Sequence, residues 1–248
     1  MIYTDLSLSD ALNRVSKAFR LNCDDMARYA GDDNIGGRDL PWNGKLWGTA
    51  SIFSNEAKIL YSLVRAMRPI NVLEIGTHKA CGTAHIAAAL VANGIGELVT
   101  VDIDPVYSKD VLALPVEYRD VTTFIAGDAL TIPLPQSDFV FDDGAHNYLF
   151  SKAIAKRIKA IGPKVVVSHD ALCPEWGGPM VRAWNEEFGS DWLGIEVHGC
   201  RAGLAIWMEG GIERDMPVEL ESISVPQDPL LIPGSRKWRR DGSRIQPL

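Results

Sequence analysis

Apolar residues recur along this chain in two different periods, and the switch between them outlines the fold. Leu8, Leu12, Val15 and Phe19 fall at helical spacing, with Ser9 or Asp10 placed to cap the start. Ile59, Leu60, Leu63, Val64 and Met67 make one face of a second helix, which begins near Asn55 and is stopped by Pro69. Between them lies GDDNIGGRDLPWNGKLWG, residues 31–48, which is dense in Gly, Asp and Asn and predicts an irregular segment.

From Asn71 the pattern changes. NVLEI (71–75), LVTVD (98–102), TFIA (123–126), DFVFD (138–142) and KVVVSH (164–169) are short apolar runs of strand type. Thr83–Asn93 reads as a helix ended by Asn93-Gly94, and Tyr148–Ile161 as one closed by Gly162-Pro163. A helix over Met180–Phe188 precedes GIEVHG (194–199) and AGLAIWME (202–209), close enough to form an antiparallel pair. Continuous apolar strands with helices between them predict an α/β fold, a doubly wound and mostly parallel sheet covered on both faces. The last stretch carries four of the 14 prolines and a cluster of arginines, and reads as a loosely packed or partner-docked tail. The expected division is an N-terminal helix and loop cover (1–54), a core (55–209) and a tail (210–248).

Composition narrows the function. The 248 residues are 46% hydrophobic and 23% charged, values of a globular chain that exclude disorder, collagen-like repeats and coiled coil. Lys and Arg total 25 against 32 Asp and Glu, a net charge of −7, which does not suit counterion-release binding to nucleic acid. Cys23, Cys81, Cys173 and Cys200 form no CxxC pair and fit a reducing compartment. Neither a signal peptide nor a membrane-length apolar run is evident, so the expectation is a cytoplasmic protein without membrane or nucleic-acid partners.

The chemistry gathers where strands end. Glu74 and Gly76 close the first strand, Asp102 the second, and Gly127-Asp128 the third. In doubly wound sheets that carboxyl rim binds nucleotide-like ligands, because the chain reverses there and helix N-termini are exposed. A carboxylate at Asp102 has the position to hold ribose hydroxyls. The run Gly76-Thr77-His78-Lys79-Ala80-Cys81-Gly82 does not match the G-x-G-x-x-G spacing of a pyrophosphate loop, and Glu74 would repel phosphate, so nicotinamide cofactors rank second.

Taken together, VLEIGT, VTVDIDP and GDAL, followed by DFVFDDGAHNY and VVVSHDALCP, resemble a class I S-adenosylmethionine-dependent methyltransferase. The likeness is strongest to small-molecule O-methyltransferases of the catechol, caffeoyl-CoA and macrocin type, and runs from about Asn55 to Met208. It implies a seven-stranded, Rossmann-like sheet of order 3-2-1-4-5-7-6. It also implies that Glu74 lies near the methionine amino group, that Gly76 and Thr77 lie beneath the cofactor, and that Asp102 holds the ribose and Asp128 the adenine. His78 and Ala80 stand where the family often has glycines.

DFVFDDGAHNY and VVVSHDAL bring Asp142, Asp143 and His146 to the end of one strand and His169-Asp170 to the end of its neighbour. Converging carboxylates repel unless protonated or bridged by a cation such as Mg²⁺, which also lowers the pKa of a bound substrate oxygen. The resemblance assigns the metal positions to Asp143, His169 and Asp170, with His169 a nitrogen donor that favours Mn²⁺ or Fe²⁺. It puts the catalytic base at His146, whose residue type ordinarily titrates near about 6.5. A capping role for His146 and Asp170 is the bland alternative, and Asp142 reads as structural. The expected reaction is transfer of a methyl group to a hydroxyl oxygen of a small molecule, assisted by a divalent metal. The alternatives are a metal-independent enzyme using His146 alone, or a non-catalytic protein that binds a nucleoside ligand. A homo-oligomer is compatible with either. Trp42, Trp47 and Trp176 lie in loops that are candidates to close over an aromatic substrate, or to pack.

One connection makes a geometric prediction. In the family's strand order the third strand lies three positions from the fourth, so the link must span roughly 22 Å diagonally. Ala129–Ser137 supplies nine residues, which reach roughly 30 Å when extended. With Pro133 and Pro135 inside it, the link has no slack for a helix. It should cross as an extended segment, on a face that residues 1–30 or a partner subunit would then help to cover.

Overall fold

A computed structural model describes residues 7–31, 52, 54–197, 202–210, 238–241 and 244–247. Trp42, Trp47, His198, Cys200 and most of the arginine-rich tail fall outside them. The chain divides into two compact units, Met1–Glu213 and Arg214–Leu248, so the N-terminal cover and the core form one unit.

The first unit begins with α1 (Leu8–Ala18), α2 (Cys23–Ala30) and α3 (Ser54–Met67). The cap of α1 is Ser7 and not Ser9 or Asp10; Asp10 instead reaches back from the third helical position to close a capping box. Helix α2 falls in a stretch that shows no clear apolar period, and Asn22 caps it by accepting the Asp25 N–H.

The sheet follows: β1 (Asn71–Ile75), β2 (Glu97–Asp102), β3 (Thr122–Ala126), β4 (Phe139–Asp142), β5 (Val165–His169), β6 (Trp192–Val197) and β7 (Leu204–Glu209). Each strand lies within two residues of its expected place. The order is β3-β2-β1-β4-β5-β7-β6, with β7 antiparallel to both its neighbours. The connecting helices are α4 (Cys81–Asn93), the short α5 (Ser108–Leu112) and α6 (Val116–Arg119), then α7 (Tyr148–Ile161) and α8 (Gly177–Phe188).

Alternate strand residues go to opposite faces, which is why the strands read as continuously apolar. Val72, Phe139, Phe141, Val165, Val167 and Ile206 pack with α1, α3 and α4. Leu73, Val140, Val166 and Trp207 pack with α7 and α8, where Trp184 stacks on Trp207 at 5.4 Å. Buried on this scale, each large apolar side chain contributes about 1.5–3 kcal/mol.

No helix forms in residues 129–137, as the length argument requires. The link is extended only over 133–137: a turn comes first, in which the Thr131 and Ile132 N–H groups donate to the Asp128 carbonyl, and Leu130, Ile132 and Leu134 join the α7–α8 side of the core. Arg157 of α7 donates to the Leu130 and Ile132 carbonyls, satisfying backbone that a helix would have paired internally. The expectation that residues 1–30 cover this face is corrected: α1 and α2 pack on the other face, with α3, and the link covers its own. In the second unit, β8 (Trp238–Asp241) and β9 (Arg244–Pro247) pair antiparallel.

Candidate active site

Strand register delivers the site. Ile75 pairs with Asp142 and Asp142 with Ser168, so Gly76, Asp143 and His169 emerge side by side at the carboxyl rim. The ladder continues one residue further, with the Asp143 N–H donating to the Ile75 carbonyl at 2.8 Å. Gly76 has φ +92°, and a Cβ there would lie 2.3 Å from the Asp143 carbonyl oxygen. Only glycine lets the two loops meet this closely.

The loop after β1 keeps a left-handed backbone without the expected glycines. His78 has φ 43° and Ala80 φ 59°, at a cost on the order of 1–2 kcal/mol each. Asp102 helps to hold this path: its Oδ2 accepts the His78 N–H at 2.8 Å and its Oδ1 the Asp104 N–H at 2.9 Å. The His78 ring meets Tyr107 edge-on at 5.1 Å. Asp128 accepts the Leu130 N–H at 2.9 Å and shapes the turn after β3. Asp102 and Asp128 are both half-buried on the rim, Asp102 beside the loop from β1.

Glu74 and Thr77 are both buried beneath the rim. Glu74 is 1% exposed and points under the start of α4, not into the rim. Its Oε2 accepts from the Thr83 and Thr100 hydroxyls at 2.5 and 2.6 Å. The Thr77 hydroxyl lies 2.6 Å from that of Thr100, so it too is turned inward. Burial, opposed by the two threonines, pushes the Glu74 carboxyl up to about 8. Glu74 therefore braces the loop from below. Asp142 is likewise interior, 3% exposed, raised by burial to about 7 and 3.3 Å from the Gly144 N–H, in keeping with a structural role.

Above this base, four sequence-predicted residues converge. His169 Nδ1 lies 3.0 Å from Asp143 Oδ1 and 3.8 Å from Asp170 Oδ1. His146 Nε2 lies 3.0 Å from Asp170 Oδ2 and 3.9 Å from Asp143 Oδ1. Asp170 has φ 57°, a strained conformation for a non-glycine residue that turns it toward both histidines. Burial raises its carboxyl pKa, against the opposite pull of His169 and His146. The His146 ring also stacks on Trp176, centroids 6.0 Å apart, which assigns one of the three loop tryptophans a place beside the site.

A fifth residue was not foreseen. Glu56, in the first turn of α3, places Oε2 2.9 Å from His169 Nε2. Its Oε1 accepts the Ala202 and Gly203 N–H groups at 3.0 and 2.8 Å, and the residue is 0% exposed. Burial works against charge on His169, but Asp143 and Glu56 outweigh it and hold the imidazole well above its ordinary pKa. The sequence carries a faint signal, since Glu56 lies on the same helical stripe as Leu60 and Leu63. An acid on a buried stripe is costly unless it is paired.

Donor atoms of Asp143, His169 and Asp170 lie within 4.8 Å of one another. His169 Nδ1 and Asp143 Oδ1 lie at hydrogen-bond distance, 3.0 Å, so a cation there would take the place of the proton they share. The residues present fit a divalent cation with mixed nitrogen and oxygen donors.

No protein-family model and no curated protein sequence matches the chain. Solved structures do. The O-methyltransferase TomG of Streptomyces achromogenes, involved in tomaymycin synthesis and solved with S-adenosylmethionine, is 20% identical, with a TM-score of 0.53 over 80% of this chain and 95% of that one. An O-methyltransferase of Bacillus cereus, solved with S-adenosylhomocysteine, is 14% identical, with a TM-score of 0.51 over 79% and 96%. A methyltransferase of Podospora anserina, also holding S-adenosylhomocysteine, is 14% identical, with a TM-score of 0.50 over 79% and 94%. The chain has the class I methyltransferase fold. In that fold the first and fourth strands are central neighbours, so the loop from Gly76 and the cluster around Asp143 share one rim.

Proposed function

We propose that this protein is an S-adenosylmethionine-dependent O-methyltransferase that methylates a hydroxyl oxygen of a small molecule, with a divalent cation at Asp143, His169 and Asp170. The observation that carries the reading is the placement of His146, 3.0 Å from Asp170 and beside the Asp143–His169 group, on the rim next to the Gly76 loop.

S-adenosylmethionine supplies an electrophilic methyl group. The loop from Gly76 to Ala80 would meet its amino-acid end with backbone, while Asp102 and Asp128 stand on the rim toward its ribose and adenine. A cation supplies positive charge that makes an acceptor hydroxyl easier to deprotonate. His146, partly open to solvent at 27% side-chain exposure, takes the hydroxyl proton on Nδ1, the ring nitrogen turned away from Asp170. Its Nε2 lies 3.0 Å from Asp170 Oδ2, so that carboxylate accepts the Nε2–H and stabilises the imidazolium that forms. Trp176 limits rotation of the ring from its face. The chain's contribution is positioning and proton removal.

A metal-independent course has one observation in its favour: both ring nitrogens of His169 face carboxylate oxygens, so its imidazolium already carries positive charge into the cluster. Full turnover in chelator would select it. Three thiols, Cys23, Cys81 and Cys173, are free, and no described helix is long and apolar enough to cross a membrane, which supports action in a reducing cytoplasm.

Calorimetric titration with S-adenosylhomocysteine tests the assignment, with one site per chain expected. Methyl transfer from labelled S-adenosylmethionine to a panel of catechols and sugar hydroxyls follows. Absence of S-adenosylhomocysteine binding by the folded chain would overturn the proposal.

A further inference from the structure

Resting on the reading of the rim as a cation site, we infer that Glu56 is the positioning residue of a mixed nitrogen–oxygen centre, directing His169 Nδ1 at the ion and biasing the site toward a first-row transition-metal cation such as Mn²⁺ over Mg²⁺. Histidines that bind metals commonly donate the other ring N–H to a carboxylate, which fixes the tautomer and the ring plane. Glu56 Oε2 stands 2.9 Å from Nε2, while Nδ1 faces Asp143 and Asp170.

Glu56 is itself held from behind. Its Oε1 takes two backbone N–H groups, from Ala202 and Gly203, and its Oε2 meets His169 Nε2. The two donors directly precede β7. Gly203 has φ +74°, and a Cβ there would lie 2.3 Å from Leu172 Cγ, which only glycine avoids. A fully buried carboxylate that served packing alone would be poorly placed, because an apolar residue of that size avoids its desolvation. An imidazole donor suits Mn²⁺ and Fe²⁺ better than Mg²⁺, which prefers oxygen and gives up water reluctantly.

The test uses the full chain, stripped with chelator and reloaded with MnCl₂ or MgCl₂. Calorimetry should show Mn²⁺ bound at least about tenfold more tightly than Mg²⁺. Pulsed electron paramagnetic resonance of the Mn²⁺ form should show one directly coordinated ¹⁴N. In Glu56→Gln the side-chain oxygen can still accept from Ala202 and Gly203, but the amide NH₂ faces Nε2 and drives the proton onto Nδ1. Mn²⁺ affinity should then fall about 10–100-fold and the nitrogen signal should vanish. Should that variant fail to fold, His169→Asp supplies an all-oxygen set, and it should lose the nitrogen signal and shift preference toward Mg²⁺. Equal affinity for the two cations, no coordinated nitrogen in the wild-type protein, or unchanged Mn²⁺ binding in folded Glu56→Gln would overturn the inference. No binding of either cation would overturn it together with the metal reading. S-adenosylhomocysteine is titrated in parallel without metal, so a failure of the cofactor reading registers separately.

Discussion

The Asp143 carbonyl oxygen stands 2.3 Å from the point a Cβ on Gly76 would occupy, so the loop that follows β1 and the loop that carries the acidic cluster are in backbone contact. Any side chain at position 76 forces them apart, and φ of +92° adds strain of its own. Gly76→Ala should therefore cost about 2–4 kcal/mol by overpacking and backbone strain together. Urea unfolding would measure this. A loss under about 0.5 kcal/mol, the range of neutral surface changes, would mean that the loops are not held together as described.

Glu74 gives a pH dependence with a defined sign. Its carboxyl titrates near 4.5 when the chain is unfolded and is pushed up to about 8 by burial in the fold. Between those values the folded chain holds one more proton, so raising the pH favours unfolding. Stability associated with Glu74 is present below about pH 4.5 and is lost as pH rises through about 8. Glu74→Gln keeps the shape without the titration. Its melting temperature should match or fall below wild type at pH 5 and exceed it at pH 8.5. Asp142, raised to about 7, gives the variant a residual fall of the same sign. Parallel stability curves for the two proteins between pH 5 and 8.5 would refute the assignment.

The strands were legible because parallel strands buried on both faces leave a continuous apolar signal, and Asn-Gly and Gly-Pro mark the helix ends near Asn93 and Ile161. The absence of a helix after Asp128 followed from chain length and two prolines. Three things were not legible. Helix α2 has only Met26 and Ala30 buried, too few to set a period. The inward turn of Glu74 depends on Thr83 and Thr100, 9 and 26 positions away, whose hydroxyls hold the carboxyl group under α4. Glu56 meets His169 across 113 positions, a pairing fixed by how α3 lies on the sheet and not by any local pattern.

Asp102 has two duties that a single substitution would disturb together. It holds the His78 and Asp104 N–H groups, and the proposed function also places it toward the ribose. Asp102→Ala should weaken S-adenosylhomocysteine binding by about 1–3 kcal/mol, the scale of lost hydrogen bonds to a charged group. Because the loop is released as well, hydrogen exchange at the His78 amide should accelerate in the same variant. Affinity unchanged while exchange accelerates would leave Asp102 a loop anchor only.

The His146–Asp170 pair separates catalysis from binding. His146 Nε2 is 3.0 Å from Asp170 Oδ2, and the ring lies against Trp176 and outside the Glu74–Thr83–Thr100 brace that supports the loop after β1. His146→Ala should thus lower kcat by about 10²–10⁴, the usual yield of a positioned general base, while S-adenosylhomocysteine affinity stays within about threefold, or ~0.6 kcal/mol. Asp170→Asn removes the charge that stabilises the imidazolium, but it also alters the proposed cation site, so its loss should be at least as large and not additive with that of His146→Ala. Raising the pH should recover part of the His146→Ala deficit with an acceptor of low pKa, because such a hydroxyl ionises without a base. If His146→Ala lost S-adenosylhomocysteine binding and turnover in equal measure, and high pH restored neither, the residue would be a structural cap of α7 and the base would have to be sought elsewhere on the rim.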